Sequence, residues 1–223
     1  MTAVLDLDRP PAPAARPPEG SAVIPPPQRP DMQRDLMARV ATARSAWARL
    51  ARMQLSDQEI GRGRHLDHAN ASVLRRILAE HDWPGVPLVG HDGSTAAFLI
   101  ALHADTQPDV QRSAARLMYA AMQRRTASFR QWAHLHDRCL LNAGMPQLFG
   151  TQYRLGPDGP ERQQVREPDT LDARRADAGL PPAGEALHAL RLRLAADPPG
   201  EFRRHDNDPP TISLTDTPRS ELP

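Results

Sequence analysis

The stretch that most constrains the fold covers residues 94–123, because it contains seven consecutive apolar residues, 96–102. A helix that is apolar on every side is a buried helix, so this run predicts the central helix of the domain. Polar residues follow it directly, beginning with His103 and Asp105. The end of the buried run is therefore the first place to look for a functional site.

Apolar residues also recur at three- and four-residue spacing on both sides of this run, which is typical of amphipathic helices. The pattern predicts further helices over about 31–54, 65–81, 108–123, 128–143, 169–175 and 183–196. Residues 90–93 have the composition of a turn, so that Ser94 or Thr95 caps the central helix. Ser56 and Glu59 have the spacing of a capping box, and we expect the glycines at 61 and 63 to delay a regular helix until about residue 65.

One segment after the helices is β-prone. Residues 148–155 predict a strand, 156–159 a turn, and 162–166 a return strand. The fold class expected from the sequence is therefore mainly α: a single helical domain over residues 31–196, with one small β-hairpin near 148–166.

Both ends of the chain are rich in proline. Nine of the 24 prolines fall in the first 30 residues and six in the last 27. Such segments bury too little apolar surface to offset the entropy lost on ordering. The sequence thus predicts disordered tails over 1–30 and 197–223.

Composition narrows the class of protein. A net charge of +1 argues against a nucleic-acid partner, and no apolar run approaches the roughly 20 residues of a membrane helix. All 28 basic residues are arginine, which excludes chemistry that needs a lysine. With the single Cys139 and no secretory-signal pattern, the sequence predicts a cytoplasmic protein. Protein partners stay undetermined.

Common cofactor and catalytic signatures are absent from the sequence. It contains no GxGxxG, P-loop, HExxH, CxxC or GxSxG motif, and we predict neither a cofactor nor a metal. An alternative is a metal enzyme that uses His65, His68 and His103, because histidines three apart on a helix can share one ion. Cys139 lies among apolar residues and is interpreted as a small buried hydrophobe.

The strongest polar constellation spreads over several predicted elements. A buried His103 needs a partner, because an unpaired buried polar group costs about 1–3 kcal/mol, and Asp137 is the expected partner in a His–carboxylate general base. Arg138 or Arg175 would clamp an anion with its planar fork. The remaining candidates, expected to contact the substrate, are Gln111, Gln147, Thr151, Gln152, Asp67 and Asn70. A structural polar network is the alternative interpretation.

The order of these residues resembles an uncharacterised bacterial family, the domain-of-unknown-function family 6624, over about residues 66–182. The motifs that carry the resemblance are Asp67-His68-Ala69-Asn70, Trp83-Pro84, Val89-Gly90, Leu102-His103-Ala104-Asp105 with Gln111, Asp137-Arg138-Cys139, Gln147-Leu148-Phe149-Gly150-Thr151-Gln152, Arg174-Arg175 and Gly179-Leu180. Phe149 replaces a tyrosine of the family pattern, Asp82 a glycine, and Leu102 a frequent glutamine. The resemblance implies that the shared polar positions form a functional pocket, and it implies no particular reaction.

These observations favour a metal-independent enzyme acting on a small polar molecule or a peptide. His103 would be the general base or acid, Asp137 its orienting partner, and Arg138 or Arg175 the anion clamp. Two other hypotheses remain open: a non-catalytic binding or regulatory module, and an accessory or tailoring enzyme of specialised-metabolite biosynthesis.

Overall fold

The computed structural model describes residues 25–51 and 54–196, together with the backbone of 213–215. Within this part of the chain the helices are α1 (Pro30–Leu50), α2 (Asp57–His81), α3 (Val86–Leu102), α4 (Pro108–Gln123), α5 (Phe129–Asn142), α6 (Leu171–Asp177) and α7 (Ala183–Ala195). The strands are β1 (Gln152–Gly156), β2 (Gly159–Arg162) and β3 (Ser213–Thr215). The predicted fold class, mainly α with one small hairpin, is confirmed.

α3 is the centre of the helical core, as its apolar run predicts. Ala97, Phe98 and Ala101 on this helix are completely buried, and α1, α2, α4 and α5 all pack against it. Apolar side chains on every side of α3 therefore find a neighbouring helix, which is the arrangement that a helix without a polar face requires.

The predicted caps of α3, Ser94 and Thr95, are wrong, although the helix is interrupted at Gly90, within the predicted turn. The helix begins at Val86, eight residues before Ser94, and Ser94 lies buried inside it. Only Gly90 departs from helical geometry, with a φ of 69° that kinks the helix. A Cβ on Gly90 would lie 3.0 Å from Nε2 of Gln33 on α1. The glycine-rich sequence 90–93 thus allows α3 to kink and to pack closely against α1.

α2 begins at its capping box. The Ser56 amide donates to the Glu59 carboxylate at 2.9 Å, and the Glu59 amide donates to the Ser56 hydroxyl. The predicted delay to about residue 65 is wrong, because the helix continues through Gly61 and Gly63, where a Cβ would meet no atom within 4 Å. The helix ends before Asp82, whose φ is 59°.

The hairpin is shorter than the sequence predicts. β1 and β2 pair antiparallel, with Tyr153 opposite Arg162 and Gly156 opposite Gly159. Residues 148–151 are β-prone, yet they form a loop, because the amides of Leu148, Phe149 and Thr151 bond to the carboxylate of Asp137 on α5 instead of to a strand. On its other edge β1 pairs with β3, giving the strand order β2-β1-β3.

The expected tails lie mostly outside the described residues, which begin at residue 25 and, after 196, include only the backbone of 213–215. Among the described helices, none is long and apolar enough to cross a membrane. The predicted α4 and α7 are confirmed. For α5, Ser128 is the residue that caps the helix, accepting from the amide of Gln131.

Candidate functional site

The residues singled out from the sequence fall into two polar networks. We call the first the α3-end cluster; it contains Trp47, Asp67, Asn70, His103, Asp105, Gln111, Arg138 and Asn142. We call the second the loop clamp; it contains Asp137, Gln147, Thr151, Gln152 and Arg175. The two networks differ in their partners: the first consists mostly of bonds between side chains, and the side chains of the second mostly bind main-chain groups.

His103 sits at the C-terminal end of α3, where the buried helix meets α1 and α2. Its imidazole is half-buried and stacks on the indole of Trp47, with ring centroids 3.9 Å apart and planes within 3° of parallel. The indole Nε1 of Trp47 donates to Oδ1 of Asp67 at 2.9 Å. One aromatic side chain thus connects the imidazole at the end of α3 to a carboxyl group on α2.

Asp105 is held by two residues of α5. Nε of Arg138 donates to Oδ1 of Asp105 at 2.8 Å, and Nη2 of Arg138 donates to Oδ2. Nδ2 of Asn142 donates to Oδ1 of Asp105 at 2.8 Å. This two-pronged guanidinium–carboxylate geometry is the strong form of the ion pair, so Asp105 and Arg138 hold each other in one orientation.

Gln111 ties the end of α3 to this ion pair. Its side chain is buried, and its Nε2 lies 3.2 Å from the carbonyl oxygen of Ala101 and 3.3 Å from both the carbonyl oxygen of Leu102 and Oδ1 of Asp105. Its Oε1 accepts from Asn142 at 2.8 Å. The last carbonyls of a helix lack partners within the helix, and Gln111 supplies one here. It positions His103 and Asp105.

The carboxyl groups of the α3-end cluster have opposite pKa shifts. The pKa of Asp67 is raised to about 6, mainly by burial and also by the charge of Asp105, against the lowering effect of the Trp47 hydrogen bond. Burial also disfavours the ionised form of Asp105, but the hydrogen bond and charge of Arg138 outweigh this effect and lower its pKa. The pKa of His103 is lowered to about 3, first by burial and then by Arg138, so its imidazole is neutral at pH 7.

Two side-chain donors of the cluster have no acceptor among the described residues. They are Nδ2 of Asn70, on a side chain that is 2% exposed, and Nη1 of Arg138. The amide oxygen of Asn70 lies 3.4 Å from Nη1 of Arg39, so only its donor half lacks a partner. A buried donor without an acceptor is unfavourable by about 1–3 kcal/mol. Such a donor needs an explanation, and a ligand or a water that accepts its hydrogen bond would be one.

Asp137 is the centre of the loop clamp. Its carboxylate accepts from the amides of Leu148 at 2.8 Å, Phe149 at 3.0 Å and Thr151 at 2.9 Å, and from the Thr151 hydroxyl at 3.0 Å. Burial raises its pKa to about 6, against the lowering effect of these donors. The hydrogen bonds of Asp137 go to the loop and none goes to His103; the carboxylate whose charge acts on His103 is Asp105.

The other members of the clamp bind main-chain groups. Nε2 of Gln147 donates to the carbonyl of Gln152 at 3.0 Å, and its Oε1 accepts from the Gln152 amide at 2.7 Å. Arg175 is completely buried and donates to the carbonyls of Pro181 at 2.7 Å and Phe149 at 2.8 Å. These side chains replace the strand pairing that residues 148–151 lack, so the clamp holds the hairpin against the helices.

The structure therefore divides the predicted site residues. Those in the α3-end cluster are Asp67, Asn70, His103, Gln111 and Arg138; those in the loop clamp are Asp137, Gln147, Thr151, Gln152 and Arg175. Sequence reasoning missed Trp47, which looks like one more member of the apolar stripe of α1, and Asn142. Asp105 stands two residues after His103 in the sequence, but the sequence pattern assigns it no role.

Other nucleophilic and metal-binding candidates have less support. Burial raises the pKa of the Cys139 thiol to about 12, so the thiol is protonated at neutral pH. His65 and His68 are exposed. Among the described residues, no three His, Cys, Asp or Glu side chains are grouped to hold a metal ion.

Comparison with known protein families gives a match over most of the chain. A family model described as "Family of unknown function (DUF6624)" matches residues 30–196, which include helices α1 to α7. No curated protein and no solved structure matches the chain.

Proposed function

The chain belongs to DUF6624, a family of unknown function, and we propose that this member is an enzyme that transfers a proton to or from a small polar or peptide substrate at the α3-end cluster. Asp67 is the group that gains and loses the proton. His103 is a neutral hydrogen-bonding group beside it, and Arg138 and Asp105 form the fixed ion pair that sets the electrostatic field.

The observation that carries this proposal is the different surroundings of Asp67 and Asp105: Asp67 accepts one hydrogen bond, from Trp47, whereas Asp105 is held by Arg138 and Asn142. Neighbouring carboxyl groups whose environments separate their pKa values are the usual arrangement for acid–base catalysis. A group with a pKa of about 6 exchanges protons readily near neutral pH. Asp67 is also only half-buried and accepts a single hydrogen bond, from Trp47, so its second oxygen can face a substrate.

His103 has a different role here from the one expected of a general base. Its lowered pKa, about 3, makes it a weak base at neutral pH. A neutral imidazole can still donate from one ring nitrogen and accept at the other. Neither ring nitrogen has a hydrogen-bond partner among the described residues, so both are available to orient a substrate.

The first test is the titration of Asp67. Carbon-detected NMR of the full chain should show a carboxyl group that titrates near pH 6 and disappears in Asp67→Asn. Asp109→Asn is the matched control, because Asp109 is an exposed carboxylate paired with Arg75 on the outer surface of α2 and α4. An Asp67 pKa at its ordinary value near 3.8 would remove the basis for the proposal.

The second test is turnover. Pools of small amides, esters and dipeptides are incubated with the wild-type chain, with Asp67→Asn and with Asp109→Asn, and the products are identified by mass spectrometry. We expect turnover that rises with pH through about 6 if Asp67 acts as a base, and that is lost in Asp67→Asn alone. Binding of a pool member without turnover would instead identify a binding module.

A further inference from the structure

The α3-end cluster contains acceptors and donors that no described residue satisfies. This inference rests on the proposed function and names the substrate class of the same site. We propose that the cluster binds an α-ammonium group together with the adjacent carbonyl or carboxylate oxygen, the unit shared by a free amino acid and by the N-terminal residue of a peptide.

The acceptors are on Asp67 and His103. Oδ1 of Asp67 is occupied by the indole of Trp47, and Oδ2 has no partner among the described residues. A neutral imidazole adds a lone pair from one nitrogen of His103. An ammonium group has three donors and no acceptor, so it complements a carboxylate oxygen and an imidazole lone pair.

The donors are on Asn70 and Arg138. Asn70 lies three residues after Asp67 on α2, and residues at this spacing are neighbours on one helix face, about 5–6 Å apart at Cβ. Its Nδ2 and the Nη1 of Arg138 are buried without an acceptor. A ligand oxygen would provide one. In an amino acid the carboxylate oxygens lie close to the ammonium group. A ligand of this kind can therefore place its ammonium group at Asp67 and an oxygen at Asn70.

The charge of the cluster also favours this class. Above pH 6 the cluster holds two carboxylates, one guanidinium and a neutral imidazole, which leaves an excess of negative charge. Arg138 is already neutralised by Asp105, so it does not by itself attract a free anion. A ligand with a positive group at Asp67 offsets the negative charge of the cluster, whereas a simple carboxylate is repelled by it.

The experiment measures the melting temperature of the full chain with three pools at equal concentration: the twenty standard L-amino acids, dipeptides of the form Xaa-Ala, and the same dipeptides N-acetylated. We expect one of the first two pools to raise the melting temperature and the acetylated pool to have no effect. A shift with amino acids alone identifies a free amino acid as ligand, and a shift with dipeptides identifies a peptide N-terminus.

Variants and pH assign the effect to the cluster. Asp67→Asn should weaken binding of the active pool at least tenfold, Asn70→Leu should weaken it several-fold, and Asp109→Asn should leave it unchanged. Wild-type binding should be weaker at pH 5 than at pH 7.5, because a protonated Asp67 no longer attracts an ammonium group.

Two results would overturn the inference. The first is a shift of equal size with the acetylated pool, and the second is no shift with any pool. Either result leaves the proposed function to be judged separately, by the titration of Asp67 and by Asp67-dependent turnover of other substrates.

Discussion

Asp67 and Asp137 are partly or fully buried carboxyl groups, and both have a pKa raised to about 6. Asp137 is completely buried and accepts from three amides and a hydroxyl, whereas Asp67 is half-buried and accepts from one indole. The same titration behaviour therefore accompanies two roles. What separates a structural carboxylate from a functional candidate is how much of its hydrogen-bonding capacity the protein already uses.

The contrast extends to the whole networks. In the loop clamp, the donors of Gln147 and Arg175 bond to the main-chain carbonyls of Gln152, Phe149 and Pro181, and Oε1 of Gln152 is buried without a partner among the described residues. In the α3-end cluster, the ring nitrogens of His103 and Oδ2 of Asp67 have no protein partner in the part of the chain that the structure describes. Substitutions in the clamp should therefore change stability, and substitutions in the cluster should change binding and pH dependence.

Asp137→Ala should have the largest effect on stability. It leaves the amides of Leu148, Phe149 and Thr151 buried without an acceptor, and we expect unfolding to become easier by about 4 kcal/mol. Urea denaturation followed by circular dichroism measures this change, and His103→Ala serves as the comparison from the other network. If Asp137→Ala cost less than about 1 kcal/mol, the two networks would not differ as described.

Arg175→Met should have the next largest effect on stability. Methionine preserves much of the apolar stem but removes the donors that reach the carbonyls of Phe149 and Pro181. We expect a loss of about 3 kcal/mol, together with faster hydrogen exchange of amides in the 148–151 loop. Unchanged exchange in that loop would contradict the role of Arg175 as a clamp.

Asp67→Asn should stabilise the protein increasingly above about pH 4, with the full gain above pH 6. The folded-state pKa of Asp67 lies above the ordinary value of 3.8, so the folded protein holds this proton more tightly than the unfolded chain does. The stability that this group provides is complete below about pH 4 and is lost as the pH rises through 6.

Asparagine does not ionise and keeps an oxygen for Trp47, so the gain at pH 7.5 should be about 1–2 kcal/mol. Denaturant titrations at pH 4 and pH 7.5 compare the variant with the wild type. A variant that is less stable than the wild type at pH 7.5 would show that the Asp67 carboxylate is fully satisfied, like that of Asp137.

Trp47→Phe should have the smallest effect, about 1 kcal/mol. Phenylalanine retains a ring that can stack on His103 but loses the indole donor to Asp67. Without this hydrogen bond the pKa of Asp67 should rise further, because the bond favours the ionised form. NMR titration of the variant measures the shift, and a lower pKa would contradict it.

The sequence predicts the helices well because their apolar periodicity is local. The sequence is misleading where the same residue type is typical of two different local structures. Gly90 and Gly93 resemble turn residues but permit a kink and close packing of α3. Residues 148–151 are β-prone, yet their amides bond to Asp137, and no local pattern reveals a carboxylate that lies eleven or more residues earlier on a helix.

For the site, the sequence identifies polar positions but does not sort them. Asp67 and Asp137 are both aspartates on helices, and only the tertiary structure shows that loop amides surround the second. Trp47 was hidden because a half-buried tryptophan on an apolar stripe looks like a core residue. The identity of the partners, more than the residue type, decides between the two roles.

Asp137 and Arg138 are consecutive on α5, and successive residues of a helix point about 100° apart. Asp137 accepts hydrogen bonds from the 148–151 loop, and Arg138 donates to Asp105. The rotation of α5 about its own axis is thus fixed at both sides by charged side chains. A change in the 148–151 loop that turned this helix would therefore also move the guanidinium that holds Asp105.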